Sequence, residues 1–418
     1  MSSSETVRAQ TAPAAPWLSI VGIGEDGADG LSPTARRLIE QAEVVFGGRR
    51  HLDLAAPLLR GEAQVWPSPF TVEPVVAARG RRVCVLASGD PFLHGVGSTL
   101  ARHVPAAEMT VVPAPSSFSL AAGRLGWALP ETGCLSLHGK PIDLLRPHLH
   151  PNARLLALTS DAAGPAQVAR LLVDSGFGAS RLHVLEALGG PRERVRSAGA
   201  EEFALTDVDA LNVLGIEVIA VPGARVLPRA PGLADDLFEH DGQITKREIR
   251  ALTLSALAPR RGELLWDIGG GSGSVSVEWM LADPSLAAIA IEHKPERAAR
   301  IARNAATFGV PDLRVVEGKA PEALAGLPTP DAVFVGGGAT VPGVLEAAMA
   351  ALRPGGRLVV NAVTLETEAV VLARHADLGG SLLQIAVSRA APLAGMTAWR
   401  PAIPIVQWTW TKPCQKTP

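Results

Sequence analysis

Short apolar runs alternate with amphipathic stretches along most of this chain of 418 residues, which is the pattern of an α/β protein. In the first half, the amphipathic stretches 32–42 and 164–175 predict helices. The apolar runs around them predict strands at 17–22, 43–46, 82–87, 109–113, 154–159 and 182–187. We therefore expect one α/β domain over residues 17–222.

The alternation is interrupted in the segment 221–243, VPGARVLPRAPGLADDLFEHDGQ, which holds three prolines and three glycines beside an acidic cluster. Because proline and glycine mark turns and loops, we interpret residues 223–243 as a linker. No internal repeat relates the sequence before this segment to the sequence after it. The chain is therefore expected to join two unlike domains.

Residues 244–418 predict a second α/β domain. Its helices are expected at 245–258, 274–282, 295–308, 341–352 and 364–377, and its strands at 263–268, 286–291, 312–316, 331–335, 356–361, 380–389 and 403–410. The last two strands have no helix between them long enough for a parallel crossover, so they should pair antiparallel at the sheet edge. A parallel sheet that ends in such a pair is typical of class I methyltransferases.

The net charge of −2 gives the chain no overall field that would attract nucleic acid or an anionic membrane. The first sixteen residues hold no apolar run long enough for a signal peptide, and we expect a disordered tail at 1–16. No window of the sequence approaches a membrane span. We therefore expect a cytoplasmic protein with neither nucleic acid nor membrane as a partner.

Cysteine and histidine spacing matches no metal site, and we expect no metal. The cysteines are far apart and form no C-x-x-C pair, which argues against a disulfide framework and fits a reducing cytoplasm. The histidines that attract attention are interpreted as loop or helix-end residues whose rings bond to the backbone. These residues are Cys84, Cys134 and Cys414, and His51, His94 and His138.

A glycine-rich turn carries the strongest chemical signal. In LLWDIGGGSGSVSVEW, a D-x-G-x-G-x-G pattern lies directly between a predicted strand and a predicted helix. Glycine lets the backbone turn tightly and approach a ligand, and a helix N-terminus offers free N–H groups. The equal gaps differ from the G-x-G-x-x-G of dinucleotide folds and favour S-adenosylmethionine, although such a turn can also be purely structural. The residues of the turn are Asp267, Gly269, Gly270, Gly271, Ser272 and Gly273.

Two further strand ends strengthen this interpretation. Glu292 ends the next predicted strand, 23 residues after Gly269, where a carboxylate can accept both ribose hydroxyls; alternatively it caps the following helix. Gly318, Lys319 and Ala320 follow a third strand, where the adenine ring usually lies. Three such elements at consecutive strand ends on one sheet edge indicate a methyltransferase.

Three segments of the second half resemble the precorrin-6Y/6B methylase family, in the part that methylates carbon 15 and decarboxylates. They are QITKREIRALTLSAL (243–257), DAVFVGGGAT (331–340) and LRPGGRLVVNAVTLET (352–367). The resemblance covers roughly residues 235–418 and implies a class I Rossmann-like fold. It implies that Thr245 touches the cofactor, and that Gly269 to Gly273, Glu292, Gly318 and Ala320 line it.

The same resemblance implies where a large flat substrate would lie. The VGGGA segment, with Gly336 and Gly337, leaves open space beside the NAVTLET strand end. The substrate's carboxylates require cationic clamps, for which the candidates are Lys246, Arg247, Arg389 and Arg400, unless these side chains are merely solvated. Glu366 could contact a ring nitrogen or the reacting acetate, and is equally explained as an acid at a helix start.

Three segments of the first half resemble the tetrapyrrole methylase superfamily, whose fold is the class III α/β fold, and especially the branch that methylates carbon 5. They are IVGIGEDGADGLSPTARRLIEQAEVVFGGRRHL (20–52), VLASGDPFLHGVG (85–97) and APSSFSLAAGRLGW (114–127). By this resemblance Gly22 and Gly24 face the substrate trough. The turn Gly89, Asp90 and Pro91 and the segment Ser116 and Ser117 would border the cofactor cleft. Each motif alone could be an ordinary tight turn.

Together the two resemblances imply methylation of precorrin-6B at carbons 5 and 15 with two S-adenosylmethionine sites and loss of the ring-C acetate carboxylate, giving precorrin-8X. They also imply a homo-oligomer. One alternative is that only the second half is catalytic and the first half holds the substrate. Another is a nicotinamide oxidoreductase, against which the lack of G-x-G-x-x-G argues.

Overall fold

The computed structural model describes residues 16–414 and divides the chain into two compact units. The first unit ends at Arg225, and the second contains Val226 onward together with the short segment Asp143–Leu149. The tail expected at 1–16 lies outside the described residues apart from its last residue. No helix within residues 16–414 is long and apolar enough to cross a membrane.

The first sheet of the first unit is entirely parallel, with the strand order β3-β2-β4-β1-β5. Ile20 and Phe46 pack on one face of this sheet and Val21 and Val45 on the other, because both faces of a parallel sheet are covered. Its strands are β1 (Leu18–Ile23), β2 (Val44–Gly47), β3 (Glu62–Val65), β4 (Val83–Ser88) and β5 (Met109–Val112), and its helices are α1 (Pro33–Gln41), α2 (Arg49–Ala55), α3 (Glu73–Ala77) and α4 (Val96–Leu100). The next helix, α5 (Ser117–Leu125), packs instead on the unit's other sheet.

A second sheet of mixed direction completes the first unit, in the order β6-β7-β10-β8-β9. Its elements are β6 (Thr132–Ser136), β7 (Arg154–Leu158), α6 (Gly164–Asp174), β8 (Arg181–Glu186), β9 (Arg194–Gly199) and β10 (Asn212–Glu217). All six predicted strands of the first half are present, but β3, β6, β9 and β10 were not predicted. Three of these four, β3, β6 and β9, are edge strands whose sequences mix polar and apolar residues, so they lack an apolar run.

The second unit is a seven-stranded sheet in the order β13-β12-β11-β14-β15-β19-β16, with helices on both faces. Its helices are α7 (Arg247–Leu257), α8 (Ser274–Ala282), α9 (Pro295–Thr307), α10 (Val344–Ala351) and α11 (Leu365–Leu378). Its strands are β11 (Leu264–Ile268), β12 (Ala287–Glu292), β13 (Arg314–Glu317), β14 (Ala332–Val335), β15 (Arg357–Ala362), β16 (Ser381–Ile385) and β19 (Ile405–Thr411).

Strand β19 runs antiparallel to both β15 and β16, which confirms the predicted antiparallel pair at the sheet edge. A separate hairpin between them, β17 (Ser388–Leu393) and β18 (Met396–Pro401), was not predicted. The single strand expected at 380–389 in fact covers the whole of β16 and the first two residues of β17. The two-domain α/β class is confirmed.

The core of the second unit extends into the segment 223–243. Leu227, Leu233 and Phe238 are buried in the same cluster as residues of α7, α8 and α9. This segment, interpreted from the sequence as a linker, therefore packs on the second unit from Val226 onward.

A buried ion pair holds this segment in place. Arg250, which is fully buried, pairs with Glu278 and donates hydrogen bonds to the carbonyls of Leu233 and Thr245. Glu278 in turn accepts from the N–H of Gly232 at 2.6 Å and of Leu233 at 2.9 Å. Every group in this network is paired, as burial of charge requires.

Arg250→Ala should lower the free energy of unfolding of the second unit by about 3–5 kcal/mol, because Glu278 would keep a buried charge with no cationic partner. The matched control is Arg303→Ala, which breaks the half-exposed pair with Glu239. This variant should change the free energy of unfolding by less than about 1 kcal/mol. Chemical denaturation of the full chain measures both. Equal losses in the two variants would contradict this role of the buried pair.

Candidate functional site

A cavity of about 910 Å³ lies at the carboxyl edge of the second unit's sheet. Residues after β11, β12, β13, β14 and β15 line it, since the carboxyl ends of parallel strands meet at one edge. Most of the predicted site residues of this half lie on its wall: Thr245, Lys246, Gly269, Gly270, Gly271, Glu292, Gly318, Ala320, Gly336, Gly337 and Arg389.

The glycine turn between β11 and α8 forms one side of the cavity. Gly269, Gly271 and Gly273 have φ values of 78°, 60° and 75°, which favour glycine. A Cβ on Gly269 would also lie 3.0 Å from the backbone nitrogen of Gly337, so two loops approach closely here. Ser272 is buried and Gly273 packs against Ile301, and neither of these two predicted residues lines the cavity.

Glu292 is buried at the end of β12 and faces the cavity. Its Oε2 accepts a hydrogen bond from the N–H of Gly271 at 3.0 Å, and its Oε1 accepts one from the N–H of Lys294 at 3.0 Å. The carboxylate therefore fixes the glycine turn and the start of α9 together. The Oε1 also lies 3.2 Å from the Nδ1 of His293, whereas Oε2 keeps a further lone pair that a ribose hydroxyl could use.

Asp267 is a second buried carboxyl in the cavity wall, and its importance was missed from the sequence, where it was only part of a motif. Burial raises its pKa to about 6, against the opposing hydrogen bonds from Ser276, and the nearby Glu292 raises it further. The Oγ of Ser276 donates to its Oδ2 at 2.7 Å. A cationic ligand in the cavity would favour the ionised carboxylate.

The wall beyond β14 is more open and more apolar. A Cβ on Gly337 or Gly338 would meet no atom within 4 Å, as expected for the VGGGA segment. Val363, Ile385 and Ile403 also line this part. A buried amide, Asn361, lies among them and was not singled out from the sequence.

The predicted cationic clamps divide into two groups. Lys246 and Arg389 line the cavity, where Arg389 pairs with Glu248 and Lys246 lies 3.8 Å from a carboxylate oxygen of Asp235. Arg247 and Arg400 are exposed and do not line it.

The predicted catalytic residue Glu366 is exposed in the first turn of α11 and is not part of the cavity wall. Hydrogen bonds from its own backbone and from Thr364 lower the pKa of its carboxyl. This geometry is that of an acid at a helix start, the alternative that the sequence left open.

In the first unit, the three predicted segments meet at the carboxyl edge of the parallel sheet. A Cβ on Gly22 would lie 1.9 Å from the carbonyl oxygen of Gly89 and 2.6 Å from the nitrogen of Ala114. That carbonyl accepts a hydrogen bond from Ala114 N–H at 3.1 Å, and Gly89 has a φ of 54°. The ends of β1, β4 and β5 are thus in contact, and glycine is required at Gly22.

The other predicted residues of this edge shape its turns. Asp90 accepts a hydrogen bond from the N–H of Phe92 at 2.8 Å, and Pro91 is buried beside it. Ser116 caps α5, of which Ser117 is the first residue. A Cβ on Gly24 would lie 2.7 Å from the Oδ1 of Asp26.

Two of the three histidines considered from the sequence have hydrogen-bond partners, whereas His94 contacts the ring of Phe118 edge-on. The Nε2 of His51 lies 2.8 Å from the Oγ of Ser88, a side chain rather than the predicted backbone, and burial together with Arg50 lowers the pKa of His51 to about 4. The Nδ1 of His138 lies 3.3 Å from the carbonyl of Thr159, as predicted. Between residues 16 and 414, no group of three or more histidine, cysteine, aspartate or glutamate residues is arranged to hold a metal ion.

Comparison with known families and proteins assigns each half of the chain to a methyltransferase family. Residues 18–204 match the family model of the tetrapyrrole (corrin/porphyrin) methylases, and residues 236–412 match that of the precorrin methyltransferase domain. A relative from Sinorhizobium named precorrin-6Y C(5,15)-methyltransferase [decarboxylating] is 64% identical over 399 residues, which are 95% of this chain and 97% of the relative.

Two other relatives extend the comparison. A protein of the same name from Mycobacterium tuberculosis is 42% identical over 404 residues, or 94% of this chain and 99% of that protein. A shorter protein from Salmonella typhimurium, named cobalt-precorrin-6B C(15)-methyltransferase (decarboxylating), is 35% identical over 179 residues, or 41% of this chain and 92% of that protein. The chain therefore belongs to the family of the decarboxylating precorrin-6Y C(5,15)-methyltransferases.

Proposed function

We propose that this chain methylates precorrin-6B at carbons 5 and 15 with S-adenosylmethionine and removes the carboxylate of the ring-C acetate, giving precorrin-8X in cobalamin biosynthesis. Two molecules of S-adenosylmethionine would be consumed, one at each unit, and no metal is required. The observation that carries the proposal is the cavity of the second unit. It joins a glycine turn with two buried carboxyls on one side to an open, apolar wall on the other.

The residues around the glycine turn fit S-adenosylmethionine, which when bound supplies a methyl group already activated by its positive sulfur. Glu292 would accept the ribose hydroxyls, and Asp267 offers a second carboxylate toward the positive charge. Gly318 and Ala320 leave room for the adenine. The protein then has to align the reacting carbon of the substrate and exclude water, an effect worth up to roughly 7–11 kcal/mol in intramolecular reactions.

We assign carbon-15 methylation and decarboxylation to the second unit and carbon-5 methylation to the first. The shorter Salmonella relative supports a division of the chemistry between units, because a protein of about one unit's length is named for carbon 15 and decarboxylation alone. The chemistry supports it too, since the ring-C acetate and carbon 15 share one conjugated path. Carbon 5 lies across the macrocycle and would require the substrate to be released and turned.

We also propose that the chain forms a homo-oligomer in the cytoplasm. Its partner would be a precorrin, and it would bind neither nucleic acid nor a membrane. The hairpin β17–β18 supports self-association, because Leu393, Met396 and Trp399 are 63–76% exposed on it. The free thiols of Cys134 and Cys414 are exposed, which fits a reducing compartment.

Incubation of the purified chain with precorrin-6B and S-adenosylmethionine should give a product two methyl groups heavier and one carbon dioxide lighter, measured by mass spectrometry. The reaction needs no nicotinamide, so added NADPH should neither bind nor change the product. A reduced product formed only with NADPH would instead support the oxidoreductase.

Isothermal titration with S-adenosylmethionine should find two sites per chain, because in each unit glycines let two loops approach closely at the carboxyl edge of the parallel strands. The alternative in which the first unit only holds the substrate predicts one site. A single site in a fully folded chain would therefore favour that alternative.

Glu292→Ala should weaken binding at one of the two sites by about 1.5–3 kcal/mol, the range for hydrogen bonds to a charged group. Glu296→Ala is the matched control, since that glutamate lies exposed in the first turn of α9, outside the cavity wall. The same titration measures both variants. Equal dissociation constants for Glu292→Ala and Glu296→Ala would show that Glu292 acts only as a cap.

A further inference from the structure

The order of strands divides the second unit's cavity into two halves. The glycine turn, Glu292 and Gly318 follow β11, β12 and β13, which lie together on one side of the sheet. The remaining wall follows β14, β15 and β16 and precedes β19, on the other side. Because Asp267, Glu292 and Gly318, proposed above to hold the cofactor, belong to the first half, the second half is left for the substrate.

One neutral polar group lies deep in this second half. Asn361 near the end of β15 is only 7% exposed, whereas the two predicted cationic clamps that line the cavity, Arg389 and Lys246, have side chains that are 48% and 45% exposed. Around Asn361 the wall is apolar, with Val363, Ile385 and others. A ligand group that reaches the base of this half would therefore meet an amide rather than a charge.

Two buried partners fix the orientation of this amide. The Nδ2 of Asn361 donates a hydrogen bond to the Oγ1 of Thr253 at 2.9 Å, and its Oδ1 accepts one from the Nε2 of Gln407 at 2.9 Å. The Nε2 of Gln407 also lies 3.2 Å from the same Oγ1. The second N–H of Asn361 has no partner among residues 16–414, and the residue lines the cavity.

Stability alone gives no reason for this network. Burying polar side chains in an apolar sheet costs free energy that their hydrogen bonds only roughly offset, and apolar residues of similar shape would serve as well. The network does have one clear effect: Thr253 on α7 and Gln407 on β19 hold the amide of Asn361 in a single orientation at the cavity wall.

We propose that the free N–H of Asn361 binds the carboxylate that the substrate loses, with Gln407 and Thr253 as positioning residues. This inference rests on the proposed function. A neutral donor suits the step because the carboxylate loses its charge as carbon dioxide leaves. A buried arginine or lysine would stabilise the ionised carboxylate more strongly before the reaction than during it, and such binding does not accelerate the step.

The atoms and charges of the step balance without a further reactant. The bond between the acetate methylene and its carboxylate breaks, carbon dioxide leaves, and the electron pair passes into the conjugated macrocycle toward carbon 15. Carbon 15 forms a bond to the methyl group and the sulfur takes the electron pair of the old bond. Carbon 15 loses one proton and the former methylene carbon gains one, so the protons balance.

The test measures carbon dioxide released from precorrin-6B labelled in the ring-C acetate, using the full chain. At precorrin-6B concentrations well below KM, Asn361→Leu should release it roughly 10- to 100-fold more slowly, because the loss of one hydrogen bond to a charged group weakens substrate binding. Asn361→Asp, which keeps the shape but lacks the N–H, should be slowed at least as much. In both variants, S-adenosylmethionine affinity at both sites and methylation at carbon 5 should stay within about twofold of the wild type, since the glycine turns are untouched.

The matched control is Asn212→Leu, which removes a buried, hydrogen-bonded amide from the first unit and should leave carbon dioxide release unchanged. Carbon dioxide release at the wild-type rate in Asn361→Leu or Asn361→Asp would overturn the inference. So would a parallel loss of S-adenosylmethionine binding, which would give Asn361 a structural role. If the wild-type chain releases no carbon dioxide, that result would contradict the proposed function and, with it, this inference.

Discussion

One steric constraint recurs in both units: at the carboxyl edge of the parallel sheet, two loops approach so closely that a side chain between them has no room. In the first unit the Gly22 position lies against the Gly89 carbonyl, and in the second Gly269 lies against Gly337. Left-handed φ values at Gly89 and Gly269 add a second reason for glycine.

The rest of the second unit's site follows from that close approach. Glu292 bonds to the glycine turn through its carboxylate, and so has a fixed place at the wall. The buried pair of Arg250 and Glu278 fixes the carbonyl of Thr245, at the segment that closes the cavity from the other side. The cavity is thus held by polar contacts behind its wall, while the half beyond β14 stays apolar and open.

Motifs that act through the backbone could be predicted from the sequence, because glycine spacing reports backbone conformation directly. The glycine turn, Glu292 at its strand end and the antiparallel edge strand are all present as expected. Residues chosen for charge alone were predicted less well. Arg247, Arg400 and Glu366 do not reach the cavity wall, since spacing along a chain does not say which way a long side chain points.

Other features depend on contacts between distant residues and give no local signal. Asn361 could not be recognised as a site residue from the sequence, because its partners Thr253 and Gln407 lie on α7 and β19, far from it along the chain. The raised pKa of Asp267 likewise reflects burial by the whole domain. The hairpin β17–β18 and the polar edge strand β9 lack the apolar run that predicts a strand.

We propose that each unit performs its own reaction, with decarboxylation in the second. The most direct measurement is the mass of the product that the full chain forms from precorrin-6B when one site at a time is disabled. Gly22→Ala, which disables the first site, should give a product one methyl heavier and one carbon dioxide lighter. The double variant Asp267→Ala, Glu292→Ala should give a product one methyl heavier that keeps its carboxylate. Loss of carbon dioxide in the double variant, or its retention in Gly22→Ala, would contradict the account.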